Sequence, residues 1–233
     1  MAEHRNIDWL RERLLASLAL EPRDPSELIG WLEARREQVP FSAELIPLRD
    51  AANWHQADNG NIYNATGQFF RIEGVRVKSA PGLREISGWD QPIFTQSEGG
   101  ILALLCRETP RQGVEFLLQA KADPGNIGYL QFCPTIQSTW ENIRGLKGAS
   151  RAPFAECLET SENIKVIYRS KHNEEGSRFW RKSNENMILF LEDADRLAIN
   201  ETTYRWASLS QIKQMMLLDN IVGPYVRTVV APL

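Results

Sequence analysis

The chain has 233 residues, 42% hydrophobic and 24% charged, with 27 Lys and Arg against 30 Asp and Glu and a net charge of −3. That balance describes a globular chain able to bury a substantial core, and it excludes a highly charged disordered one. Lys and Arg are scattered rather than run together, which argues against a nucleic-acid surface. The longest apolar runs, "GGILALLC" and "MILFL", are far too short to cross a bilayer. The N-terminus, "MAEHRNIDWLRERLLASLAL", carries Glu3, Asp8 and Glu12 instead of a basic start and a clean apolar block, so a cytoplasmic protein is expected.

In chain order, Ile7, Leu10, Leu14, Leu15 and Leu18 recur at helical spacing over 7–20. A second helix is predicted from Asp24 as N-cap, with Pro25 as its first residue, through "PSELIGWLEARREQ" to a stop before Pro40. Together they form an N-terminal helical arm, residues 1–40, which Trp9 and Trp31 would dock onto a module spanning 41–233. Residues 41–60 read as irregular. From Asn61 the period becomes two, with Phe70, Ile72, Val75 and Val77 alternating, and Gly74 reads as a bulge or tight turn. Further strands are predicted over 91–95, 100–107, 113–121, 129–133, 164–169, 178–182 and 186–192. A last helix starts at Ser208 and sets Leu209, Ile212, Met216 and Leu217 on one face. The class is α+β: a curved, mixed, mostly antiparallel sheet with flanking helices.

Most familiar chemistry is missing. There is no GxGxxG after a strand, no GxxxxGK[ST] and no GxSxG. No acidic cluster has the density of a pyrophosphate-hydrolysing magnesium site. Cys106, Cys133 and Cys157 are odd in number and widely spaced, which suits neither a disulfide framework nor zinc. His4, His55 and His172 form no metal-binding spacing. No metal and no cofactor is expected.

What stands out is "QAKADPGNIGYLQFCPTIQST", Gln119 to Thr139. Here Gln119, Gln131, Gln137, Asn126, Thr135, Ser138 and Thr139 surround a single cation, Lys121, and a single anion, Asp123. A lysine at a strand end can form an ion pair, bind phosphate or, if desolvated, act as a base. The amides and hydroxyls can bind sugar hydroxyls and a pyrimidine, or can satisfy loop backbone. A second polar stretch is "RSKHNEEGSRFWRKSNENM", residues 169–187. As a strand it would aim Arg178 and Lys182 to one face, where two cations suit a diphosphate, or pair with Glu174 and Glu175. Trp54, Trp89 and Trp140 lie in polar loops, where an indole can stack on a base or cover a core edge.

The blocks "ATGQFFRIEGVRV", "WDQPIFTQSEGGILALL", "FLLQAKADPGN", "QFCPTIQST", "SRFWRKSNENM" and "WASLSQIKQMMLLDNIVGPYVRTVV" occur in this order over about residues 30–230. Together they resemble the nucleoside-diphosphate-hexose 2,3-dehydratases of deoxysugar biosynthesis. The matching positions are Thr66, Gly67, Gln119, Lys121, Asn126, Pro134, Thr135, Gln137, Arg178, Asn184 and Asn186. The resemblance implies a Nudix-like module without the Nudix metal motif. It also implies a dTDP-4-keto-6-deoxyhexose substrate, which loses its C3 proton to a base and its C2 hydroxyl as water, with no metal or nicotinamide. Candidates for the proton chemistry are Lys121, His172, Glu98 and Tyr168, with Lys121 favoured as base or enolate partner. Trp89 is expected on the thymine. Gln119, Asn126, Thr135, Gln137, Asn184 and Asn186 are expected on base or sugar, and Arg178 and Lys182 on the diphosphate. Family members carry two such modules where this chain has one, so a homodimer is expected. The competing readings are a non-catalytic nucleotide-sugar-binding module and an enolising enzyme for another substrate.

Overall fold

Five consecutive residues of "ILALL", Ile101 to Leu105, are buried without alternation. A strand reads this way when both faces of its sheet are covered. The strand is β5 (Gly100–Thr109) of a seven-stranded mixed sheet. The computed structural model describes residues 2–20, 23–67, 69–96, 98–145, 151–159 and 163–233. It divides into two compact units: Met1–Ala43 with Gly100–Lys171 and Glu185–Leu233, and Glu44–Gly99 with His172–Asn184.

In the first unit the order is β11 (Tyr204–Ser208), β6 (Gly113–Ala122), β5, β10 (Ser183–Leu191), β9 (Ile164–Asn173). β5 and β10 run parallel, whereas β6 is antiparallel to both β5 and β11. One face carries Leu102, Leu104, Phe116, Leu118 and Ile188. It is covered by helices α1 (Ala2–Ser17), α2 (Ser26–Gln38), α4 (Leu209–Met215) and α5 (Pro224–Val230). The other carries Ile101, Ala103, Leu105, Leu117 and Leu189, under Ile143, Phe154 and Cys157.

Both N-terminal tryptophans dock as expected: Trp9 meets Phe190 edge-on at 4.9 Å, and Trp31 stacks on Phe132 at 5.8 Å. Asp24 accepts from the Ser26 N–H at 3.0 Å, and the helix proper starts at Ser26. Arg36 of α2 ties itself to the sheet edge, donating to the Leu130 and Asn220 carbonyls. At the β5–β6 turn Gly113 has φ +67°, and a side chain there would strike Ser17 of α1. Ser17 Oγ instead accepts from the Val114 N–H at 3.1 Å.

The β5–β6 ladder stops early. It pairs Thr109 with Gly113 and continues to Cys106 with Phe116, then ends. The next pair would be Leu105 with Leu117. In its place Thr135 Oγ1 accepts from Leu105 N–H at 3.0 Å and donates to the Leu117 carbonyl. Thr135 lies between β7 (Leu130–Pro134), which pairs with the far end of β6, and β8 (Ile136–Thr139), which pairs with the near end of β5. One hydroxyl thus replaces a ladder rung where the two central strands splay, and "QFCPTIQST" fills the gap.

The second unit is an antiparallel sheet, β1 (Trp54–Gln56), β2 (Ile62–Asn64), β3 (Arg71–Lys78) and β4 (Gly88–Thr95). Trp54, Phe69, Phe70, Phe94 and Phe179 form a chain of ring contacts in it, partly buried except for the exposed Phe69.

Several expectations are corrected. Gly74 is no bulge: it pairs with Pro92 in an unbroken register from Arg71–Thr95 to Lys78–Gly88. Residues 178–182 are not a strand. The Arg178 and Phe179 N–H groups both donate back to the Glu175 carbonyl, Arg181 takes φ 51°, and only an isolated bridge joins Phe179 to Phe94. The opposed faces expected of a strand there do not exist. Leu217 lies beyond the end of α4 and is exposed; Ile212 and Met215 face the core. The first helix spans 2–17, not 7–20, and leaves Leu15 and Leu18 exposed. β1, inside the stretch 41–60 expected to be irregular, β8, β11, α5 and a one-turn helix at Trp140–Ile143 appear where no element was predicted, because their short runs show no usable period.

Thr135→Val keeps the shape but leaves a buried N–H and a buried C=O unpaired, each costing about 1–3 kcal/mol. The expected result is a lower urea midpoint at unchanged m-value, with Thr135→Ser retaining most of the stability.

Candidate active site

The splay opens a cleft. Along β6 the residues facing the second core cluster are Leu117, Gln119 and Lys121, since strand neighbours two apart share a face. The side chains therefore turn from apolar to polar where β5 departs. Gln137 of β8, opposite Leu102, supplies the other wall. Tyr204 of β11 lies opposite Gln119 in register. The cleft measures about 310 Å3 and is also lined by Ser138, Asn142 and Arg151. That is the lower end of small-molecule sites, about 300–1,000 Å3.

Lys121 Nζ donates to Asp123 Oδ1 at 2.7 Å. Gln137 Nε2 donates to Asp123 Oδ2 at 3.4 Å. Asp123 begins the β6–β7 turn. Its carbonyl accepts from Asn126 N–H at 3.1 Å, and the Asn126 carbonyl accepts from Tyr129 N–H at 3.0 Å. Asn126 thus shapes the loop that holds Asp123. Arg151 donates to the Ile143 carbonyl at 3.3 Å and pairs with Glu159, leaving its side chain about half exposed. The Tyr204 ring packs edge-on against Phe154 at 4.9 Å. Burial pushes its phenol up to about 12, so it stays a neutral hydrogen-bonding group at physiological pH.

Five of the residues singled out in the sequence line this cleft: Gln119, Lys121, Thr135, Gln137 and Ser138. The hydroxyl of Thr135 is spent on the backbone of β5 and β6. Tyr168 packs among the residues under the helices, on the opposite face of the sheet. Asn186 lies opposite Leu102 on β10 and is fully buried. Asn126 stays on the β6–β7 turn of the first unit, and the others belong to the second unit. There Lys182 makes a buried ion pair with Glu174 at 2.7 Å, and Asn184 donates to the same carboxylate at 2.9 Å. Arg178 pairs with Glu175 at 2.9 Å on the surface. Of the two uses the sequence left open for these cations, the structure shows the carboxylate pairing. Trp89 donates to Gln91 Oε1 at 2.7 Å. Glu98 is partly buried and His172 exposed.

Sequence reading passed over Tyr204, Asn142, Arg151 and the Asp123 partnership. Only the two-residue spacing of Lys121 and Asp123 signalled the last; the others come from distant strands and loops. A larger cavity of about 1,150 Å3 beside α1 and α4 is lined by leucines, by Ser17, Gln112, Ser208, Ser210 and Gln214, and by four cations, with no carboxylate among them to hold a lysine in place. Among the described residues no group of His, Cys, Asp and Glu could hold a metal.

A family model described as NDP-hexose 2,3-dehydratase matches residues 25–233. A dTDP-4-dehydro-6-deoxy-alpha-D-glucopyranose 2,3-dehydratase from Amycolatopsis orientalis is 35% identical over 210 residues, 87% of this chain and 43% of the relative. Proteins of the same name from Saccharopolyspora spinosa and Streptomyces violaceoruber are 32% identical over 208 residues and 28% over 210. These alignments cover 88% and 89% of this chain, and 41% and 46% of the relatives. The chain belongs to the NDP-hexose 2,3-dehydratase family, and it spans less than half the length of the curated relatives it matches.

Burial also holds the thiols protonated. Cys133 is pushed to about 12, with the Asp123 charge adding to the effect, and Cys157 to about 11. Cys106 is raised further by burial alone. A raised folded-state pKa stabilises the fold fully below the ordinary value and loses that contribution as pH climbs through the folded one. The denaturation midpoint should therefore be insensitive to these groups at neutral pH and fall between about pH 9 and 12. Ellman's reagent at pH 8 should titrate the three cysteines quickly only in urea.

Proposed function

We propose that this chain is a nucleotide-sugar dehydratase that removes water across C2–C3 of a dTDP-4-keto-6-deoxyhexose, and that the splayed-strand cleft holds the sugar. The observation that carries this reading is the Lys121 ammonium, held by Asp123 in a cleft otherwise lined mainly by neutral amides and hydroxyls, within a chain of this family. Loss of the C3 proton puts negative charge on the C4 oxygen, and a fixed ammonium stabilises that charge as it develops. Expulsion of the C2 hydroxyl then gives an enol, which tautomerises to the 3,4-diketo-2,6-dideoxy sugar. Gln119, Gln137, Ser138, Asn142 and Tyr204 can take the sugar hydroxyls. The half-exposed Arg151 guanidinium suits a phosphate.

Trp89 and Arg178, expected on the nucleotide, belong to the second unit, where a partly exposed indole and a surface guanidinium whose carboxylate partner is readily exchanged could by themselves take a base and a phosphate. The Nudix-like module, the cytoplasmic setting and the homodimer belong to the same proposal. A mixed sheet between helices supports the first. Three free cysteines suit a reducing compartment.

The test incubates the purified chain with dTDP-4-keto-6-deoxyglucose and traps the α-diketone product with an aromatic diamine, with solution mass recorded on the same sample. Turnover by a dimer is expected. Lys121→Met should lower kcat by about 10²–10³-fold while dTDP still binds. Binding of dTDP without turnover in the wild type would make the chain a binding module, and no binding at millimolar dTDP would overturn the nucleotide-sugar reading.

A further inference from the structure

We propose that Asp123 is a positioning residue that sets the hydrogen-bond polarity of the cleft. It fixes Lys121 as a donor beside the Gln137 carbonyl as an acceptor, so that the cleft reads a ketone flanked by a hydroxyl. The inference deepens the dehydratase reading and rests on it for the identity of the sugar.

The two oxygens of one carboxylate are divided between the two groups: Oδ1 accepts from Lys121 and Oδ2 from the Gln137 amide. An ionised carboxylate can only accept. It therefore selects the nitrogen of the Gln137 amide and turns the oxygen away. That oxygen, Oε1, is buried and has no hydrogen-bond partner among the described residues, although Gln137 lines the cleft. A buried acceptor left without a donor is costly, so the carboxamide gains by turning Oε1 toward a ligand hydroxyl in the cleft, which is then held firmly. Lys121 has three N–H donors and gives one to Asp123, which leaves two for the cleft.

Because both groups bond to one carboxylate, the ammonium and the carboxamide that carries the acceptor are held together. Neighbouring sugar carbons present their oxygens in the same way. A ketone oxygen accepts from Lys121, and the hydroxyl on the next carbon donates to Gln137. The contact to Lys121 strengthens as the ketone becomes an enolate, whereas the contact to Gln137 serves binding throughout. Asparagine at position 123 would undo both parts. Its amide can donate to Gln137 Oε1, which lets the carboxamide turn over, and it carries no charge to hold the ammonium. Glutamate keeps the charge and the acceptors.

The experiment compares wild type, Asp123→Asn and Asp123→Glu as full chains. Calorimetry measures binding of dTDP and of dTDP-6-deoxyglucose, which has no ketone and cannot lose water by this route. Turnover is followed with the 4-keto sugar. Asp123→Asn should bind the sugar nucleotide at least about tenfold more weakly, bind dTDP as wild type does, and lose about 10²-fold in kcat. Asp123→Glu should recover most of both losses. Asp123→Asn that binds dTDP-6-deoxyglucose like wild type would overturn the proposal, as would a glutamate variant no better than the asparagine one. A wild type that binds but does not turn over sinks the dehydratase reading alone, since the binding comparison still decides the role of Asp123.

Discussion

The rest of the sheet depends on one side-chain hydroxyl standing in for a backbone hydrogen bond. Where β5 and β6 part, the Leu105 N–H and the Leu117 carbonyl lie in an interior that water does not reach. Unpaired, each would weigh heavily against the separation. Thr135 offers one donor and one acceptor at that point, so the strands can diverge at little cost. The divergence lets β7 pair with one central strand and β8 with the other. It also moves Gln119 and Lys121 out of the packed core and onto the wall of a cleft. Thr135 matters here as a structural wedge, and the chemistry falls to its neighbours.

The charged groups of the chain follow a similar rule, that a buried carboxylate needs cations. Glu115, buried on β6, is held by Arg23 at 2.5 Å and by Arg107 at 3.0 Å. Glu174 holds Lys182 and Asn184. Both sets are closed, with the carboxylate contacts taken up by protein partners. The Lys121–Asp123 pair differs because it is about one-third exposed, opens on a cleft and shares its carboxylate with an amide. An ion pair inside a hydrogen-bonded group, beside a cavity, combines rigidity with spare donors. That combination suits stabilisation of developing negative charge better than an isolated lysine would.

The half length sharpens the functional question. Relatives of more than twice the aligned length carry the dehydratase name, and this chain aligns with less than half of each. Its cleft is nevertheless assembled within one compact unit, from β6, β8, β11 and the segment around Arg151. All the residues that line the cleft belong to that unit. A second copy would bear on stability or on the nucleotide end of the substrate.

Much of this was legible in the sequence. Period and start signals placed the two N-terminal helices, the strands from Gly100 to Pro134 and the start of the last helix at Ser208, because each depends on residues within a few positions of one another. The polar run from Gln119 to Thr139 marked the cleft proposed as the site, and the ordered motifs along the chain marked the family. The sequence could not show that Thr135 spends its hydroxyl on Leu105 and Leu117, or that Tyr204 arrives opposite Gln119 from far along the chain. Nor could it show that Lys182 is committed to Glu174. It also suggested a strand over 178–182, where local alternation was outweighed by a turn onto the Glu175 carbonyl. Local backbone preference is written in neighbouring residues. Which polar group meets which partner is decided only when distant strands come into register.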